Sequence, residues 1–164
     1  MSLAKRIGKS NMNIRMFDES DLMNLYGTLS DPDVMKYIEP VFDIDKTREF
    51  LHSAALSDPP LIYAAEDNNG KYIGYVIYHD YDEISVELGW LLNKQEWGKG
   101  YASGLTELLI SKAKREGKNA VIECDPNQAV TKHIAEKNGF VYDGSSDGCD
   151  VYRLTIGGKR TEEV

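Results

Sequence analysis

The stretch from Ile84 to Gly104 constrains the fold more than any other part of the chain. It reads as a strand, a glycine loop and a helix start. Ile84, Val86, Leu88, Trp90 and Leu92 share one face of an extended segment, because side chains alternate with a period of two. The other face carries Ser85, Glu87, Gly89 and Leu91. Gln95-Glu96-Trp97-Gly98-Lys99-Gly100-Tyr101-Ala102 follows. Glycine at 98 and 100 frees the backbone for unusual dihedral angles and removes side chains where a bulky ligand must approach. Ala102, Leu105, Leu108, Leu109 and Ala113 then supply the buried stripe of a helix. The start of such a helix offers free N–H groups and the positive end of its dipole, which suits a phosphate.

Glu87 is a carboxylate in the middle of an apolar strand. Burial would raise its pKa toward the range a general base needs near neutral pH. A partly exposed residue on a solvated face is the alternative. Lys94 and Lys99 stand close enough to add positive charge for phosphates, although each also reads as ordinary solvated lysine.

Around this centre the elements alternate. Met12 to Phe17 predicts a strand, and Asp18 to Asp21 a helix start that continues through Leu22, Leu25, Tyr26 and Leu29. A second helix begins near Asp43 to Asp45, carries Phe50, Leu51, Ala54 and Ala55 on one side, and stops at Asp58-Pro59-Pro60. Leu61 to Glu66 and Tyr72 to Tyr78 form a hairpin about Asp67-Asn68-Asn69-Gly70, and a further turn is expected at His79 to Glu83. After the helix from about Gly100 to Arg115 come a strand at Ala120 to Cys124 and a helix at Asn127 to Asn138. Strands near Phe140 to Asp143 and Cys149 to Ile156 close the chain, with Gly139 just past a helix end. The expectation is one α/β domain over residues 12–156, preceded by a leader at 1–11 joined to a natural start at Met12, and followed by a loose tail at 157–164.

Composition removes several classes. The 164 residues are 41% hydrophobic and 28% charged, as in a folded domain. No apolar run approaches the roughly 20 residues of a membrane span. The net charge of −8 argues against nucleic acid as a partner and is compatible with a cationic acceptor such as an amine. Two cysteines, Cys124 and Cys149, are too few for a disulfide framework, so a reducing, cytoplasmic setting is expected. His52, His79 and His133 are scattered without ligand spacing, so no metal is expected. Gly98-x-Gly100-x-x-Ser103 faintly imitates a dinucleotide fingerprint, but Asn93 to Trp97 separate it from the strand and the third glycine is missing.

These residues resemble the GCN5-related N-acetyltransferases (GNAT family), and within them the branch of the ribosomal-protein N-terminal acetyltransferases. Gln95-x-x-Gly98-x-Gly100 matches the family's acyl-CoA motif. Glu87-Leu88-Gly89-Trp90 and Trp97-Gly98-Lys99-Gly100-Tyr101-Ala102 match the branch, and Glu136-Lys137-Asn138-Gly139-Phe140 matches the end of the family's last helix. The resemblance implies a mixed, mostly antiparallel sheet of six to seven strands flanked by about four helices, splayed between the fourth and fifth strands. It also implies acetyl-CoA as co-substrate. Leu91 and Leu92 would run beside the pantetheine arm, Gln95 would belong to the motif, and the amides of Gly98, Lys99, Gly100, Tyr101 and Ala102 would hold the pyrophosphate.

Direct attack by an amine within a ternary complex would use Glu87 as base. Asn127 stands beside Gln128, which occupies the family's asparagine position, and Thr131 replaces its serine or alanine. Many relatives place a tyrosine acid where this chain has Ala135, which leaves Thr131 to deliver a proton or orient the sulfur. The acceptor, a protein N-terminus or small amine, would be met by the first helices and their loop, where Tyr37, Glu39, Phe42, Asp43 and Asp45 form a candidate pocket mouth. Exposed strand edges admit a homodimer. Other readings are a non-catalytic acyl-CoA-binding module, favoured by Ala135, and a dinucleotide-binding domain.

Overall fold

The computed structural model describes residues 12–156, so the expected leader and tail lie outside the described residues. Seven strands form one mixed sheet: β1 (Asn13–Arg15), β2 (Ile62–Glu66), β3 (Tyr72–Asp82), β4 (Ser85–Leu92), β5 (Asn119–Cys124), β6 (Val141–Ser146) and β7 (Cys149–Leu154). Their order is β1-β2-β3-β4-β5-β7-β6. The β1–β2, β2–β3, β5–β7 and β6–β7 pairs are antiparallel, and β4–β5 is parallel. Four described α-helices accompany the sheet: α1 (Leu22–Leu29), α2 (Ile44–Phe50, prolonged by a π-helical turn at Leu51–Ala55), α3 (Tyr101–Arg115) and α4 (Ala129–Lys137). This is the expected fold.

Contacts divide the chain into two compact units. One comprises the described residues up to Ile77 together with Trp90–Leu105. Its core gathers Phe17, Leu25, Leu29, Met35, Phe42, Leu51, Ala55, Ile62, Tyr72, Tyr75 and Leu91. The α1 entrance is fixed by a capping box: Asp18 accepts from the Ser20 amide, and Asp21 accepts from the Asp18 amide, each at 2.9 Å. Asp21 is buried, and both its oxygens accept from Arg15 at 2.9 Å. Asp43 caps α2 by accepting from the Lys46 amide at 2.8 Å.

The other unit comprises Tyr78–Gly89 and the described residues from Thr106 onward. Val86, Leu88, Leu109, Ala113, Val121, Ile122, Ile134, Phe140 and Tyr152 are buried there. Helix α4 ends as expected: Gly139 adopts φ 92°, the Phe140 amide donates to the Ala135 carbonyl, and the Gly139 amide to that of Glu136, each at 3.0 Å.

Two sequence expectations are corrected. The turn at His79 to Glu83 is confined to Glu83 and Ile84, because β3 runs on to Asp82. Tyr78 and Tyr81 hold that extension by donating to Glu116 and Glu123 at 2.6 and 2.7 Å, and Asp82 accepts from the Ile84 amide to close the turn. Ile84 is therefore exposed instead of opening the buried strand face. The last helix begins at Ala129 and not at Asn127, since Asn127 and Gln128 are spent on a turn with Asp125.

The splay at the centre of the sheet has a visible cause. The β4–β5 ladder covers only Ser85, Val86 and Glu87, paired with Asn119, Ala120 and Val121. Beyond it, the end of β4 is held from β3. Ala65 of β2 pairs with Gly74 and Glu66 with Tyr72, so Ile73 is an extra residue in a bulge. Its carbonyl accepts from the Asn93 amide at 2.9 Å. A Cβ on Gly74 would stand 2.2 Å from the Leu91 carbonyl oxygen, so only glycine admits this approach.

Candidate active site

Glu87 projects from β4 with its side chain 22% exposed. His79 and Tyr81, two apart on β3, lie on one face by strand alternation, and Glu123 follows Val121, the partner of Glu87, by the same step. His79 Nε2 lies 3.6 Å from Glu87 Oε1. Burial pushes the Glu87 carboxyl above its usual range; the positive charge available on His79 opposes this and the negative charge of Glu123 adds to it. Tyr81 donates to Glu123 at 2.7 Å, and that bond, with burial, pushes the phenol up to about 12. A carboxyl with a raised pKa, still reachable from solvent, is a better proton acceptor than a fully hydrated one.

The loop after β4 belongs to the first unit and is built as a rigid cradle. Asn93 is anchored through its amide to Ile73, and its side chain accepts from Thr28 at 2.7 Å. Lys94–Glu96 forms a 3-10 turn, after which the Trp97 indole donates back to the Leu92 carbonyl at 3.0 Å. Gly98 and Gly100 take φ 79° and 85°, and nothing stands within 4 Å of a Cβ built on either. Backbone geometry, not crowding, therefore requires glycine. Among the described residues, the amides of Gly98, Lys99 and Gly100 donate to no protein group, and α3 starts at the next residue. Open amides at a helix start fit an anionic diphosphate.

The other predicted residues divide. Leu91 and Leu92 are buried at the end of β4, Gln95 is exposed on the loop, and Tyr101 and Ala102 are half-buried in the first turn of α3. Thr131 is half-buried in the first turn of α4, and Asn127 is exposed just before it. Lys94 and Lys99 are not idle cations: Lys94 pairs with Asp33 at 2.6 Å and Lys99 with Glu96 at 3.2 Å. In the expected pocket mouth, Phe42 is core, stacked edge-on to Phe50, and Asp43 is the α2 cap. Glu39 and Asp45 pair with Lys46 and Arg48. Sequence reasoning missed His79, Glu123 and Glu96. A longer β3 would have placed His79 beside Glu87, but the polar run His79 to Glu83 reads as a turn.

Residues 11–141 match the model of the acetyltransferase (GNAT) domain. An uncharacterized N-acetyltransferase of Bacillus subtilis (strain 168), YnaD, is 28% identical over 143 residues, 83% of this chain and 82% of its own length. An acetyltransferase (GNAT family) from Bacillus anthracis superposes with a TM-score of 0.76 at 25% identity, over 87% of this chain and 92% of that one. RimL, a ribosomal L7/L12 α-N-protein acetyltransferase solved with coenzyme A, does so with 0.77 at 19% identity, over 92% and 97%. The domain match over most of the described residues, together with the splayed sheet and the glycine cradle, makes this chain a member of the GNAT acetyltransferase family.

Proposed function

We propose that this protein is an acetyl-CoA-dependent N-acetyltransferase acting on a primary amine, either a protein N-terminus or a small molecule. The observation that carries this reading is the half-buried Glu87 carboxyl with its raised pKa, in the strand that leads into an open glycine cradle. The amides from Gly98 to Ala102 hold the pyrophosphate, with Gln95 and Lys99 beside them and the backbone of Leu91 and Leu92 along the pantetheine arm. Asn127 completes the contacts to the cofactor. Acetyl-CoA supplies the activated thioester.

Glu87 removes the proton from the incoming ammonium, directly or through one water, so that nitrogen presents its lone pair. Holding amine and acyl donor together makes the attack effectively intramolecular. Thr131 orients the sulfur or returns a proton to it. No tyrosine can do so from position 135, which is a fully buried alanine. The chain's excess of acidic groups suits a cationic acceptor.

Calorimetric titration with acetyl-CoA and with CoA tests the cofactor half; absence of binding by either ends it. CoA release measured across peptide N-termini, polyamines and drug-like amines tests the acceptor half. Glu87→Gln should slow turnover at least about 100-fold while leaving acetyl-CoA binding nearly intact, the usual scale for a lost general base. Full activity in that variant removes Glu87 from the role.

A further inference from the structure

The geometry points to a further positioning residue: His79 is the proton exit of the Glu87 base, receiving on Nε2 the proton that Glu87 takes from the amine. The inference rests on the proposed base role of Glu87 and deepens it.

The tautomer follows from one contact. His79 Nδ1 lies 2.9 Å from the carbonyl oxygen of Asp80. A carbonyl can only accept, so Nδ1 carries hydrogen in the neutral ring and Nε2 carries the lone pair. That lone pair faces Glu87 Oε1 at 3.6 Å, beyond hydrogen-bond length but within a small side-chain shift or one bridging water.

The proton balance closes without a co-reactant. The N–H bond of the ammonium breaks as an O–H bond forms on Glu87. That O–H bond then breaks as Nε2–H forms, which regenerates the carboxylate and leaves an imidazolium. The Asp80 carbonyl and the charge of Glu87 stabilise the imidazolium, and with 28% of its side chain exposed it can release the proton to water.

The groups around the pair favour this route. Tyr81, on the same strand, is committed as donor to Glu123, and its phenol lies too high to take part. Glu123 on β5 adds negative charge toward Glu87, and the Cys149 thiol on β7 is pushed up by burial and by nearby carboxylates, Glu123 first. Arg153 on β7 lies over the Tyr81 ring at 5.9 Å and is engaged by Asp143 and Asp82. His79 is the neighbour that faces Glu87 with a ring nitrogen free to take up a proton.

The test is His79→Asn, which keeps a donor for the Asp80 carbonyl and removes Nε2. The expected result is a fall in kcat of about tenfold or more, with KM for acetyl-CoA within about twofold. Added imidazole should restore turnover in His79→Ala, which a merely structural role would not allow. Wild-type turnover in His79→Asn, or turnover lost in His79→Ala that imidazole does not restore, overturns the proposal. Glu87→Gln assayed in parallel separates the two readings. If it is inactive while His79→Asn behaves as wild type, the relay fails and the base stands. If it is fully active, base and relay fail together. Circular-dichroism melts of each variant confirm that losses are not unfolding.

Discussion

The Glu96 carboxylate is 2% exposed, and Lys71 Nζ forms an ion pair with its Oε2 at 2.9 Å. Lys99 donates to the other oxygen at 3.2 Å. Burial pushes the carboxyl up, but the two ammonium groups outweigh it and hold Glu96 below the usual glutamate range. A buried anion in the cradle thus ties the β2–β3 hairpin to the loop that carries Gly98 and Gly100.

Glu96→Gln should loosen that tie. Both lysines are more than half exposed, so the stability lost is modest, about 1–2 kcal/mol, and urea melts will read it. Acetyl-CoA binding should weaken about tenfold, a change of about 1.4 kcal/mol, because the loop loses its fixed shape. Titration calorimetry checks this; unchanged affinity would show that the cradle holds its form without the anion.

Gly74→Ala should be severe. Its φ is 150°, and the new methyl group would meet the Leu91 carbonyl oxygen. Overpacking and backbone strain together should cost about 3 kcal/mol, or roughly 6–12 °C in Tm for a chain of this size. Since the contact also positions the start of the loop, binding of acetyl-CoA should suffer even where the variant stays folded. Differential scanning calorimetry with and without the cofactor separates the two effects.

Asp21 supplies an acid-dependent share of stability. The bonds from Arg15 lower its pKa to about 2, against burial, with the Asp18 amide and Asn24 contributing. A depressed carboxyl stabilises the fold at pH above its unfolded value, and that stability is lost as pH falls through the folded value. The loss should therefore run from about pH 4 down to about pH 2 and amount to roughly 2 kcal/mol. Asp21→Asn should be destabilised at pH 7 and lack that descent, which urea midpoints across the acid range will show.

Glu87 has the opposite sign. Its folded pKa is raised, chiefly by burial, so its ionisation weakens the fold as pH rises from the unfolded value through the folded one. Glu87→Gln should therefore melt at or above the wild-type temperature at pH 7 while losing turnover. A lower Tm would mean that the carboxylate is a structural partner of His79.

Much of this was legible in the chain. Val86, Leu88 and Leu92 are buried, Gly98 and Gly100 require positive φ, and α3 starts one residue after the second glycine. These are local facts: alternation, a helical stripe and glycine's freedom act within a few residues of one another, so sequence reports them. Glu87 was visible for the same reason, as a carboxylate out of place in its own strand.

What sequence could not supply is contact between residues far apart. His79 and Glu123 meet Glu87 only because β3, β4 and β5 lie side by side, and the polar run after Tyr78 hides the strand that brings His79 there. Lys94 and Lys99 looked like free charge until Asp33 and Glu96 were seen beside them. The sequence by itself determined the strand, the glycine loop and the helix start that follow one another from β4 to α3. The tertiary structure decided which side chains surround Glu87 and where β4 leaves β5, because electrostatic environment and strand separation depend on neighbours that the order of residues along one segment does not specify.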